Sequence, residues 1–135
     1  NYSSKIYGQV WVVFDKEDYN DEQFNKAIES CDYNACWSNP NFELWLIAHL
    51  KKVTKYISKD DILNELGKEF QKNGLWEYNK NDTNIFEKVT KDGKIHNAIR
   101  NCKYMENLNK DGQASARNPM TKVYKIVDGL KEYLE

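Results

Sequence analysis

The apolar residues of this chain change period from one stretch to the next, and each change marks an element. Residues 10–14 (Val-Trp-Val-Val-Phe) are five consecutive apolar positions that stop at Asp15-Lys16-Glu17-Asp18. A continuous run of this kind predicts a strand buried on both faces, as in a parallel sheet covered by helices. Asn20 or Asp21 can then cap a helix over about residues 21–31, whose apolar face is Phe24, Ala27, Ile28 and Cys31. A short strand at 35–38 completes a βαβ unit. Asn39-Pro40 reads as an N-cap followed by proline in the first helical position, opening an apolar helix to Leu50. Ser58, with Asp61 three residues on, resembles a capping box before Ile62, Leu63, Leu66 and Phe70, and Asn73-Gly74 should end that helix. Ile85, Phe86 and Val89 predict a short helix broken by Asp92-Gly93. Ile95, Ala98, Ile99, Cys102, Met105 and Leu108 keep helical spacing for about four turns. After a polar loop at 109–117, Asn118-Pro119 repeats the cap-plus-proline device, and Val123, Ile126, Val127, Leu130 and Leu134 form the face of a last helix.

The 135 residues are enough for one domain with its own core. With 20 basic and 21 acidic residues the net charge is −1, so any affinity for nucleic acid must come from local clustering. Arg100 and Arg117 are the only arginines. The three cysteines, Cys31, Cys36 and Cys102, include no CxxC pair and read as reduced core residues of a cytoplasmic protein. No apolar run is long enough to span a bilayer, so no membrane partner is expected. Residues 1–8 are polar and are expected to lead into the first strand from a loop.

The acids after the first strand are the leading chemical candidates. In open α/β sheets, ligands bind at the carboxyl ends of strands. If the backbone stays extended, Asp15 and Glu17 point to one side and, with Asp18 adjacent, can hold a hard divalent cation; the alternative is a solvated turn. Glu43 is ringed on a helical wheel by Leu46, Ile47 and Leu50, so it needs a partner or must become neutral. Either backbone amides at the helix start supply that partner, or the carboxylate serves a site at the sheet edge. His49, two turns on, reads as a core histidine or a catalyst. Tyr78-x-Lys80 can reach a phosphate or a base, or lie on the surface.

Four segments together resemble the RloB-like proteins. They are Val-Trp-Val-Val-Phe-Asp-Lys-Glu-Asp, Ser-Asn-Pro-Asn-Phe-Glu-Leu-Trp-Leu-Ile-Ala-His, Tyr-Asn-Lys and Asn-Pro-Met-Thr-Lys-Val-Tyr. The resemblance implies a Toprim-like fold, with Asp15 and Glu17 as the metal-binding acidic pair, Asp18 assisting and Glu43 as a further carboxylate. Ser38, Asn39, Pro40, His49, Tyr78, Lys80, Asn118 and Thr121 match other family positions. It also implies Mg²⁺ or Mn²⁺ as cofactor, a role in prokaryotic phage defence, and an ABC/AAA-type ATPase as partner. Nothing before Val10 matches the family's Cys-Glu-Gly segment, so the expected domain, residues 1–135, lacks its N-terminal strand.

The expected fold is α/β, a small, mainly parallel, Toprim-like sheet flanked by helices with a helix-rich C-terminal half. The expected function is a metal-dependent nuclease with Asp15, Glu17 and Glu43 as catalytic carboxylates. Nucleic acid, DNA or RNA, would contact Asn39, Lys80, Arg117 and Lys122. The alternative is a non-catalytic module that binds an ATPase or a nucleotide.

Overall fold

The computed structural model describes residues 9–134. The expectation of a missing N-terminal strand, and the loop expected at 1–8, concern residues outside that range. β1 (Trp11–Asp15), α1 (Asp21–Glu29) and β2 (Asn34–Asn39) form the expected βαβ unit. The strands are parallel, in register from Trp11↔Asn34 to Asp15↔Ser38. α1 starts in a full capping box: Asn20 Oδ1 accepts from the Gln23 N–H, and Gln23 Oε1 accepts from the Asn20 N–H. Its buried Phe24 packs edge-on against Phe14 and Trp37, at centroid distances of 6.0 and 5.5 Å.

The sheet differs from expectation in two ways. β3 (Met120–Thr121) pairs antiparallel with β2, so the order β1-β2-β3 is a mixed sheet rather than a mainly parallel one. The strand buried along most of its length is β2, in the middle of the sheet, not β1. Among the described residues β1 is an edge strand, and Val13 is 51% exposed. An apolar run specifies a strand, but not which neighbours arrive to cover it.

Both cap-plus-proline readings are overturned. Asn39 ends β2, the Asn39-Pro40 bond is cis, and α2 (Glu43–Ala48) begins three residues later with Phe42 at its N-cap. Asn118-Pro119 is likewise cis and runs into β3 before α6 (Val123–Leu134). The two asparagine amides bind distant backbone instead of capping their own helices. Asn39 Nδ2 donates to the carbonyls of Ala114 and Ser115 at 3.3 and 3.2 Å. Asn118 Nδ2 donates to Asn39 Oδ1 and to the Ile57 carbonyl, while Asn118 Oδ1 accepts from the Ile57 N–H. Beside them the buried hydroxyls of Ser38 and Thr121 are 2.6 Å apart.

The core lies on the other side of the sheet from α1. α2 is buried all round, with Leu44, Trp45, Leu46, Ile47 and Ala48 enclosed by α3 (Lys59–Lys72) and α5 (Lys94–Leu108). Ser58 caps α3 by accepting from the Asp61 N–H. α4 (Ile85–Thr90) is separated from α5 by Asp92 and Gly93, both with positive φ, as the sequence break predicts. Cys36 and Cys102 are buried and free; Cys31, placed on the helix by its spacing, falls after α1 and is only partly buried. No helix among the described residues is long and apolar enough to cross a membrane.

Replacing Asn118 by Ala leaves both polar groups of the Ile57 backbone without their partner. We expect Asn118→Ala to cost about 1–3 kcal/mol in denaturant unfolding, and Asn118→Asp, which cannot donate, to lose much of the same stability.

Candidate functional site

β1 delivers Asp15 to the carboxyl end of the sheet, beside Ser38 of β2. The chain then stays on β2's end: the Lys16 N–H donates to the Ser38 carbonyl and the Glu17 N–H to the Pro40 carbonyl. Glu17 has φ +41, so the backbone has already left the extended form. Alternation along a strand therefore does not align Glu17 with Asp15, contrary to expectation. The turn nonetheless keeps its carboxylate close enough to act on Asp15. Asp18 goes elsewhere: its Oδ1 lies 2.6 Å from Lys59 Nζ, at the start of α3.

Glu43 stands at the first position of α2 and is 3% exposed. Its partners come from the irregular segment between α3 and α4. The Tyr78 hydroxyl donates to Glu43 Oε1 at 3.3 Å, and Lys80 Nζ is 3.8 Å from the same oxygen. Tyr78 is itself seated edge-on against Phe70 of α3. Tyr78 and Lys80 thus supply the partners that the buried Glu43 carboxylate needs, a pairing the sequence pattern does not contain.

These groups wall a cavity of about 190 Å³ lined by Asp15, Glu43, Tyr78 and Lys80, with Phe42, Leu46 and Ile85 as its apolar surface. Burial is the main force on Asp15 and pushes its pKa up to about 6. The Phe42 N–H, which donates to the carboxylate, and the charge of Lys80 pull the other way; the charges of Glu17 and Glu43 add to the rise. Burial also raises the Tyr78 hydroxyl, helped by the negative charge of Glu43, so Tyr78 stays a donor. Asp15 and Glu43 are the carboxylates that line the cavity, and Glu17 is near enough to act on Asp15. Among the described residues no three His, Cys, Asp or Glu side chains are grouped closely enough to enclose an ion by themselves. Two lining carboxylates do not fit an all-protein cage and would leave most coordination positions of a hard cation to water.

Other expected site residues lie away from the cavity. Side chains alternate across the sheet, which places Trp37 and Lys122 on the α1 face and Asp15 on the α2 face. Lys122 Nζ sits 5.4 Å above the Trp37 ring, and burial, the largest influence, lowers its pKa, with neighbouring Lys125 and Arg117 adding to the effect. Arg117 donates to the Gly112 carbonyl. Lys122 and Arg117 form a separate basic patch and do not join Lys80. Ser38, Asn39, Asn118 and Thr121 hold the strand ends together, and Pro40 supplies the carbonyl that accepts from Glu17. His49 is the C-cap residue of α2, at the far end from Glu43. Its Nδ1 bonds the Trp45 carbonyl, its buried Nε2 has no partner, and burial lowers its pKa, so it is a neutral core residue. Two participants carry no sequence signal: the backbone N–H of Phe42 and the side chain of Ile85.

The fold and the cavity define a small mixed α/β protein with a carboxylate-lined pocket at the carboxyl edge of its sheet. It belongs to the RloB-like protein family, whose model matches residues 1–130. No curated protein and no solved structure significantly matches the chain.

The raised pKa of Asp15 has a consequence for stability. Between the unfolded value near 3.8 and the folded value of about 6, the folded state keeps a proton that the unfolded chain has lost. Stability therefore falls as pH rises through that window. In metal-free buffer we expect Asp15→Asn to melt at a higher temperature than the parent at pH 8. The difference should shrink between pH 6 and 4, as followed by thermal unfolding across pH.

Proposed function

We propose that the chain is a metal-dependent phosphodiester hydrolase, a Toprim-like nuclease of a cytoplasmic prokaryotic phage-defence or restriction-associated system. The observation that carries this reading is the convergence of Asp15 and Glu43 on one small cavity at the carboxyl end of β1, with Glu17 close enough to act on Asp15. Acidic groups crowded at a strand's carboxyl end are poised for a cation or a proton transfer. Asp15, Glu17 and Glu43 would hold Mg²⁺ or Mn²⁺, which when bound polarises a phosphate and lowers the pKa of an attacking water.

The chain's own groups have distinct tasks in this reading. The Phe42 N–H orients the Asp15 carboxylate. Tyr78 fixes the Glu43 carboxylate, and Lys80, 74% exposed, offers its charge to a phosphate at the mouth of the cavity. Phe42, Leu46 and Ile85 keep one wall dry, which strengthens the electrostatic contacts inside. Arg117 and Lys122, on the opposite face of the sheet, would bind a more distant part of a long nucleic acid or a partner.

The test is cleavage of labelled DNA and RNA by the full chain in Mn²⁺. Asp15→Ala should abolish it, and Tyr78→Phe should reduce it about 10–100-fold. Activity unchanged in Asp15→Ala rejects the proposal. One observation favours the second reading, a non-catalytic module that binds an ABC/AAA-type ATPase or a nucleotide. It is the proximity of Lys80 to Glu43, a charge placed where it can satisfy the carboxylate without any ion. Calorimetric titration separates the two. Heat on adding Mg²⁺ to the parent, absent in Asp15→Asn, supports the hydrolase; no heat in the parent supports the module.

A further inference from the structure

The segment that supplies Tyr78 and Lys80 also carries Trp76, which is 81% exposed. Its φ of +68 lies in the left-handed region, which bulky L-residues rarely adopt. The backbone is therefore held in an unusual conformation with a large flat apolar ring in water. Among the described residues Trp76 belongs to neither core cluster, and an exposed ring of this kind gains by being covered. Trp76 borders a groove of about 1050 Å³ together with Leu63, Tyr78, Lys80 and Lys88. The same groove includes Glu43, which also lines the smaller acid cavity, so the two spaces share Glu43, Tyr78 and Lys80. Lys88 is engaged by Asp82, which leaves Lys80 as the cation most available to a ligand among these lining residues.

We propose that Trp76 is a stacking platform for an unpaired nucleobase, and that the substrate enters the site as a single strand or a single-stranded loop. This rests on the hydrolase reading and names its substrate class. A polymer with a phosphate at Asp15 and Lys80 must continue along an adjoining surface, and the groove with Trp76 is contiguous with that point. A base within a duplex has both faces covered by its neighbours; an unpaired base offers a free π-face to an aromatic side chain. Stacking of this type tolerates any base, so Trp76 would select for strandedness rather than sequence.

The experiment is fluorescence anisotropy with the full chain and labelled twelve-nucleotide DNA and RNA. Each is offered single-stranded and as a duplex, with Ca²⁺ in place of Mg²⁺ to limit cleavage. The single strands should bind more tightly than the duplexes, and the DNA and RNA arms identify the preferred sugar. Trp76→Ala should weaken single-strand binding roughly ten-fold and leave duplex binding nearly unchanged, while Trp76→Phe keeps most of the affinity. Because Trp76 is solvent-exposed, melting curves should match across the three proteins, and matching curves rule out misfolding as the cause. Equal binding by parent and Trp76→Ala, equal losses on both substrates, or no binding of either by the parent overturns the inference. Its failure is distinct from that of the hydrolase reading. Mn²⁺ cleavage that depends on Asp15 but not on Trp76 refutes the platform alone. Trp76-dependent binding without any metal-dependent cleavage refutes the hydrolase.

Discussion

Glu43 is a carboxylate almost wholly out of water at the start of a helix otherwise made of core residues. A charge in that position must be met by donors, because the uncompensated group would cost several kcal/mol. Tyr78 and Lys80 meet it, and in doing so they tie the irregular segment between α3 and α4 to the end of the sheet. That tie encloses the cavity beside Asp15 and fixes which surface adjoins it. The position of the aromatic groove follows from the same contacts.

The sheet end is organised by polar groups of a different kind. Ser38, Asn39, Asn118 and Thr121 are neutral, buried or half-buried, and bonded to one another or to backbone. Their side chains are occupied with structure. The division is by face. Asp15 and Ser38 face the main core, while Trp37, Lys122 and Asn39 face α1 and the loop that follows α5.

How much of this was legible in the sequence depended on the range of the interaction. The βαβ unit, the capping at Asn20 and Ser58, and the break at Asp92-Gly93 are local, and they stand where the pattern puts them. Glu43 is legible as a buried acid in need of a partner, and Tyr78 and Lys80 are separately visible as polar groups able to reach a phosphate or a base. What no local pattern contained was that these two needs answer each other across 35 residues. Asn39-Pro40 and Asn118-Pro119 misled for the same reason. An asparagine before a proline is chemically suited to cap a helix, but it is equally suited to bind remote backbone, and the partners at Ile57, Ala114 and Ser115 are far away along the chain. Asp18 is near Asp15 in sequence, but the placement of α3 pairs it with Lys59.

The Asn39–Asn118 contact joins positions separated by 79 residues, and Ile57 and the 114–115 carbonyls meet at the same point. Contacts of such long span close large loops and form slowly relative to local ones. During synthesis, the strand that bears Asp15 and the helix that bears Glu43 would leave the ribosome well before the segment that locks their junction. The junction beside the pocket is therefore completed only after residues 114–118 have been added. A nascent chain that ended before residue 114 would carry all three acids without the junction that ties the strand ends beside them.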